Sequence, residues 1–140
     1  MAGELTVTAA QVAAIYPDKA EIVDMIAAAA LTAGQPVYMT TTGTVGVADA
    51  NGSGTTQFRG IALKAAGAAG VVPVLKKGHC AGFAVSAVNC DSALYLSDTA
   101  GSIATSAGTL SVQVGRVAAL PDGNATRVVY IEADWLRTWA

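Results

Sequence analysis

Charge is what this sequence has least of. Of its 140 residues only 13% are Asp, Glu, Lys or Arg, eight basic against ten acidic, for a formal net charge of −2. A nucleic-acid-binding domain needs a basic stripe, and none is present. Aromatic residues make up 6%, and histidine occurs once, at His79. No uninterrupted apolar run reaches the roughly eighteen residues of a membrane-spanning helix. The N-terminal stretch carries Glu4 and no basic segment ahead of an apolar core, so it does not read as a secretory signal. Synthesis and assembly in a cytoplasm are the expectation, and the two cysteines, Cys80 and Cys90, are expected as thiols, although their separation permits a bridge.

The groups that carry catalysis are equally scarce. His79 and Cys80 are adjacent, and neighbours on a strand point to opposite faces, so they do not meet as base and nucleophile. No Cys, His and carboxylate cluster has metal-ligand spacing. The glycine pairs never build a phosphate loop followed by Lys-Ser/Thr. Asp49, Asp91, Asp98 and Asp122 each sit among Gly, Ser, Asn or Ala at turn-like positions, where turn-making explains them. Asn51 and Asn124 stand in sequons but read as turn residues in Gly-rich loops. These absences predict a non-catalytic protein with no cofactor and no metal.

What the chain does hold is apolar residues, 53% of the total, many of them alanine. Low charge with so much apolar surface implies that part of the exterior is buried against other subunits. It also holds a duplication. Residues 34–47, GQPVYMTTTGTVGV, return as residues 93–103, ALYLSDTAGSI. Pro36-Val37-Tyr38-Met39 matches Ala93-Leu94-Tyr95-Leu96, and Gly43-Thr44-Val45 matches Gly101-Ser102-Ile103. Downstream, Gly60-Ile61-Ala62-Leu63 answers to Gly115 through Leu120 with one residue inserted, and Val72-Pro73-Val74-Leu75 to Val128-Val129-Tyr130-Ile131. An offset of roughly 55–58 residues is too long for a solenoid and suits a duplicated block of hairpins. Tyr38 and Tyr95 become equivalent positions.

From Pro36 onward the pattern predicts short strands with local turns: residues 36–42, 45–48, 58–63, 71–75, 83–88, 94–96, 103–105, 110–114, 117–120 and 126–133. Pro73 places its strand at an edge or a bulge, Lys76-Lys77-Gly78 closes that strand, and Pro121-Asp122-Gly123-Asn124 forms a turn. Such spacing implies an all-β fold, a small antiparallel barrel closed by two pseudo-symmetric hairpin entries. The domain reading is an N-terminal arm, residues 1–17, and one β domain, residues 18–140, with pseudo-repeats at about 34–75 and 93–131. In the arm, Thr8 caps a short helix over residues 9–15, ended by Pro17. Its apolar face is too small to stand alone, so it docks on its own barrel or on a partner. Residues 18–31, DKAEIVDMIAAAAL, read as helix by propensity and less tidily as a strand.

The succession GQPVY, GTVGVADA, FRGIAL, GVVPVLKKG, LYLSDTAGSI, VGRV and VVYIEADW resembles the head decoration (capsid cement) proteins of tailed bacteriophages, from about Thr8 to the end. The order and spacing of the motifs carry the likeness. That resemblance implies a small β-barrel or β-tulip fold, a homotrimer at three-fold and quasi-three-fold sites outside the head, and the major capsid protein as partner, with no direct nucleic acid and no membrane. It also implies an extended conformation before the GQPVY entry, so residues 20–28 are expected as a strand. The expected task is mechanical, clamping capsomers against internal DNA pressure, with the arm or an edge strand adding to a capsid-protein strand. No capsid-contacting motif carries over. By position the candidate interface residues are Leu5, Val7, Val12, Ile15 and Tyr16 in the arm, and Trp135 and Trp139 in the tail, where the tryptophans read equally as a lid or as anchors. The runner-up is a tail-tube or head–tail-joining component; a carbohydrate- or host-surface-binding module on the virion is a third reading.

Overall fold

The computed structural model describes residues 4–121 and 126–139. They form one antiparallel sheet curled into a half-barrel, with no α-helix among the described residues. Its strands are β1 (Ala13–Ala14), β2 (Glu21–Ile26), β3 (Pro36–Met39), β4 (Val45–Val47), β5 (Phe58–Ala62), β6 (Val71–Ala81), β7 (Ala93–Leu96), β8 (Ile103–Ala104), β9 (Gln113–Ala119) and β10 (Arg127–Glu132).

The order β4-β3-β5-β6-β10-β9-β7-β8 is a palindrome of the duplication, with the β6–β10 pair at its centre. Each half carries the same irregularity. Val37 opposes Gly60 and Tyr38 slips to Phe58; Leu94 opposes Gly115 and Tyr95 slips to Gln113. The glycines recur because the slip presses backbone on backbone. A Cβ on Gly60 would stand 2.6 Å from the Leu75 carbonyl oxygen, and one on Gly115 would overlap that of Tyr130. Gly43 and Gly101, at φ +90° and +84°, make the matching hairpin turns. Only the last match shifts: the equivalent glycines press on Leu75 O in one half and on Tyr130 O in the other, so the match of Leu75 with Ile131 slips by one residue.

The outermost strands, β4 and β8, are not ladder partners. Loop bonds join the two ends instead, Ala50 N–H to Ser97 O at 2.9 Å and Gly101 N–H to Ala48 O at 3.1 Å. Inside the curl, one cluster centres on Phe58, Ile61, Leu94, Leu96, Val129 and Ile131. A smaller one under β2 holds Met25, Leu31, Val37, Val45, Val72 and Val74.

Strand β6 organises the rest. β5 and β10 take successive stretches of one edge, and β2 and β1 take the other. Lys77 lies between Glu21 of β2 on one side and Glu132 of β10 on the other. Lys76-Lys77-Gly78 therefore does not close the strand; Gly78, at φ +144°, passes the chain through a kink and on to Ala81. Pro73 lies in an interior strand rather than at an edge. Its carbonyl accepts from Leu63 N–H at 2.9 Å, and its missing donor falls where the β5 ladder ends. Within the expected stretch 20–28, Glu21–Ile26 do form a strand, β2, because the exposed flank of β6 outweighs a helical preference of a few tenths of a kcal/mol per residue.

Other expectations need correction. Residues 9–15 hold one 3₁₀ turn (Ala9–Gln11) and then β1, and Thr8 makes no side-chain cap. An isolated two-turn helix does not repay nucleation, whereas β6 supplies partners: Thr8 N–H bonds Gly82 O and Ile15 N–H bonds His79 O. Residues 83–88 form no strand; Phe83 makes a lone bridge to Val7, and Val88 turns back to Val85. Of the expected strands 110–114 and 117–120, residues 113–114 and 117–119 merge across Gly115 into β9, while residues 110–112 form no strand. The expected turn at Pro121–Asn124 lies largely outside the described residues.

Candidate interaction surface

The reactive side chains lie apart. Cys80 is buried in the core, and burial pushes its thiol up to about 11, so it stays protonated. Cys90 is exposed on the loop before β7, and both are free. On the opposite face from Cys80, His79 stands between the rings of Tyr16 and Tyr130, with centroids 5.5 and 5.1 Å away. Among the described residues no three His, Cys, Asp or Glu side chains could hold a metal ion, and no helix is long and apolar enough to cross a membrane.

A cleft of about 320 Å³ opens where β9 and β10 meet the C-terminal tail, between Tyr130 and Trp139. Its charges are two and two, Arg116 and Arg137 against Glu132 and Asp134, and their contacts are local. Glu132 accepts the Tyr130 hydroxyl at 2.9 Å, Asp134 accepts Leu136 N–H at 3.1 Å, and Arg116 donates to Asp91 O at 2.6 Å. Burial, then that bond to Glu132, raises the Tyr130 hydroxyl above its ordinary pKa.

Of the seven positions expected at an interface, six are engaged in the protein's own fold. Leu5 and Val7 pack on the larger cluster and Val12 is buried within it. The arm runs along the sheet: Leu5 N–H bonds Ile103 O at 2.8 Å, and the Glu4 carboxylate accepts from the Ser97 hydroxyl. Ile15 is half-buried beside β6. In the tail, Trp135 Nε1–H donates to Arg59 O at 2.8 Å. Trp139 is clasped by Gln57, whose amide accepts its N–H at 2.9 Å and donates to its carbonyl at 2.8 Å. Tyr16 alone is exposed, at 36%.

The free surface lies elsewhere. β2 pairs with β6 along one edge, and its other edge faces no strand among the described residues. Ile22 and Ile26 stand outward from it at 40% exposure, flanking exposed Asp24, and Val71, the cross-strand partner of Ile26, is 62% exposed. Beyond Ile26 the surface continues through exposed Ala28, Ala29 and Ala30 and across to Ala65, Ala68 and Ala69. Two hydrogen bonds between Leu31 and Ala66 fasten these segments together. No charged residue occurs from Met25 to Ala48 or from Ala65 to Leu75. An unpaired edge beside a charge-free apolar surface is the usual form of a protein contact.

Sequence reasoning reached β2 but not its exposure. Ile22 and Ile26 alternate with Val23 and Met25, so both faces read as apolar. The readable signal was the two charge-free runs, which fold against each other. Comparisons of this chain with family models, with curated proteins and with solved structures each find no match.

Proposed function

We propose that the chain is a structural protein of a bacteriophage head, a decoration protein that binds the outside of the expanded shell as a trimer and clamps neighbouring capsomers. One observation carries this reading: the open edge of β2, with Ile22 and Ile26 outward beside an alanine-rich surface without charge. Such a surface takes a flat protein partner rather than a small molecule, since it is neither concave nor polar. It agrees with the motif succession that resembles the decoration proteins.

The physical work follows from those parts. An edge strand adds to a strand of the major capsid protein through main-chain hydrogen bonds, and the outward isoleucines supply the apolar contact. Because the arm is seated on its own sheet, edge addition falls to β2. Each contact is weak, but a trimer bridging several capsomers engages its contacts at high effective concentration, so the sum resists rupture. The test is to mix purified protein with empty expanded and unexpanded heads and count bound copies after sedimentation. Saturating, stoichiometric binding to expanded heads is expected; no binding to either would overturn the reading.

A further inference from the structure

We propose that Asn51-Gly52 is a self-modifying site whose turnover loosens the seam of the half-barrel. The asparagine cyclises onto the following nitrogen, loses ammonia, and reopens with water as aspartate or isoaspartate. This chemistry does not depend on what the outer surface binds.

Among the asparagines of the sequence, Asn51 alone precedes glycine; Asn89 precedes Cys90 and Asn124 precedes Ala125. Asn51 and Gly52 are both exposed, on the loop after β4. The Asn51 main-chain N–H is held by Asp49 Oδ1 at 3.0 Å. Among the described residues, however, nothing holds its side-chain amide or the N–H of Gly52. Glycine has no Cβ to screen its nitrogen, and nothing lies within 4 Å of where one would stand. The attacking and attacked groups are therefore both free. Gly52 nitrogen gives up its proton and bonds to Asn51 Cγ, and the side-chain nitrogen leaves with a proton as ammonia. Water then opens the resulting succinimide at either carbonyl. Cleavage of the new bond gives aspartate; cleavage at the main-chain carbonyl gives isoaspartate, whose backbone runs through Cβ and Cγ and is longer by a carbon.

The position gives this change its effect. Ala50, the residue before Asn51, is fully buried. Its N–H bonds Ser97 O at 2.9 Å and its carbonyl accepts Leu110 N–H at 3.0 Å. Ala50 thus ties the first half of the duplication to the second where no ladder joins β4 to β8. The loop that seats it is closed by Asp49 and Thr55. Asp49 N–H bonds Thr55 O at 3.1 Å, the Thr55 hydroxyl bonds Asp49 Oδ1 at 2.7 Å, and Thr55 N–H bonds Gly52 O at 3.2 Å. Either product adds a carboxylate beside that of Asp49, and like charges so close repel. Isoaspartate also lengthens the chain between Asp49 and Gly52, which shifts Gly52 O away from Thr55. Both effects fall on the residue that closes the seam.

The test is to incubate the full chain in mildly alkaline buffer and map its peptides by mass spectrometry. The peptide holding Asn51 should gain the mass of an exchange of NH for O and become a substrate for isoaspartyl methyltransferase. Asn89 and Asn124 should stay amides. G52V should react at least about tenfold more slowly, since a branched side chain crowds the attacking nitrogen. Gly52 is extended, at φ −150° and ψ 147°, with open space around it, so G52V keeps the fold, which far-UV circular dichroism checks. In the modified protein, amide exchange should quicken at Ala50 and at Gly101, whose N–H bonds Ala48 O at 3.1 Å. If Asn51 stays an amide in the folded chain while it reacts in urea, the fold guards the site and the proposal is overturned. Equal rates in wild type and G52V would overturn the cyclisation. Modified protein with unchanged exchange at Ala50 would overturn the link to the seam.

Discussion

Gly115 lies so close to the carbonyl of Tyr130 that a Cβ at that position would overlap the oxygen. Gly60 stands in the same relation to Leu75, with 2.6 Å between the added Cβ and the carbonyl oxygen. The contact belongs to the bulge repeated in both halves of the sheet, so removing either glycine forces the strands apart. G115A and G60A are each expected to destabilise by on the order of 1–3 kcal/mol, the range for overpacking a tight site. G52A, at a loop position with nothing within 4 Å of the added Cβ, is the control and should be neutral. Urea unfolding measures all three, and equal midpoints would contradict the bulge account.

The arm should respond to acid through Glu4. Hydrogen bonds from Ser97 and then Thr99 hold its carboxyl below the ordinary glutamate range. The unfolded or detached arm binds that proton more readily, so the attachment is fully present above the ordinary pKa and is lost as pH falls through the depressed one. The readout is amide-exchange protection at Leu5, whose N–H bonds Ile103 O at 2.8 Å. Protection should be constant from neutrality down to the ordinary glutamate range and fall below it. In S97A the pH dependence should flatten; an unchanged profile would place the control elsewhere.

The duplicated hairpins were legible because glycine turns and apolar–aromatic triplets are local signals, and the structure places both copies in register around β6 and β10. β6 was not legible as one strand. Lys76-Lys77-Gly78 looks like an end when read alone, and only the strands that flank Lys77 on both sides, β2 at Glu21 and β10 at Glu132, make it a middle. Residues 83–88 are as apolar as a strand, but Phe83 meets only a bridge to Val7. Six of the arm and tail residues named for an interface are engaged in the protein's own fold, which the sequence hides because ends of a chain look free in it. Their side chains fill the protein's own core or clasp its own strands, while the open surface belongs to a segment whose strand character came from its partner.

The exposed face of β2 separates binding from folding. Ile22 and Ile26 are 40% exposed, whereas Met25 on the other face is 8% exposed and belongs to the smaller core cluster. I22K and I26K together place lysines along an open edge, the usual guard against strand addition. They should leave thermal stability near wild type and abolish binding to expanded heads. M25A should do the reverse, lowering stability by about 2–5 kcal/mol, the range for a buried large-to-alanine change, while any folded fraction still binds. Head binding unchanged in I22K/I26K would remove β2 from the docking surface.

Gln57 ties the tail to β5 from both sides of one amide, accepting Trp139 N–H at 2.9 Å and donating to its carbonyl at 2.8 Å. Arg59 adds a second tie, donating to Asp134 O at 3.4 Å and Arg137 O at 3.3 Å. Q57A removes the first tie and leaves the second, and should cost about 1–3 kcal/mol for two neutral hydrogen bonds. Trp139 should loosen while Trp135 stays bound to Arg59 O. A partial red shift of tryptophan emission and faster proteolysis after Arg137 are the expected signs, without loss of the sheet. A Q57A protein with wild-type emission and wild-type proteolysis would mean that Arg59 and the Trp135 bond hold the tail without Gln57.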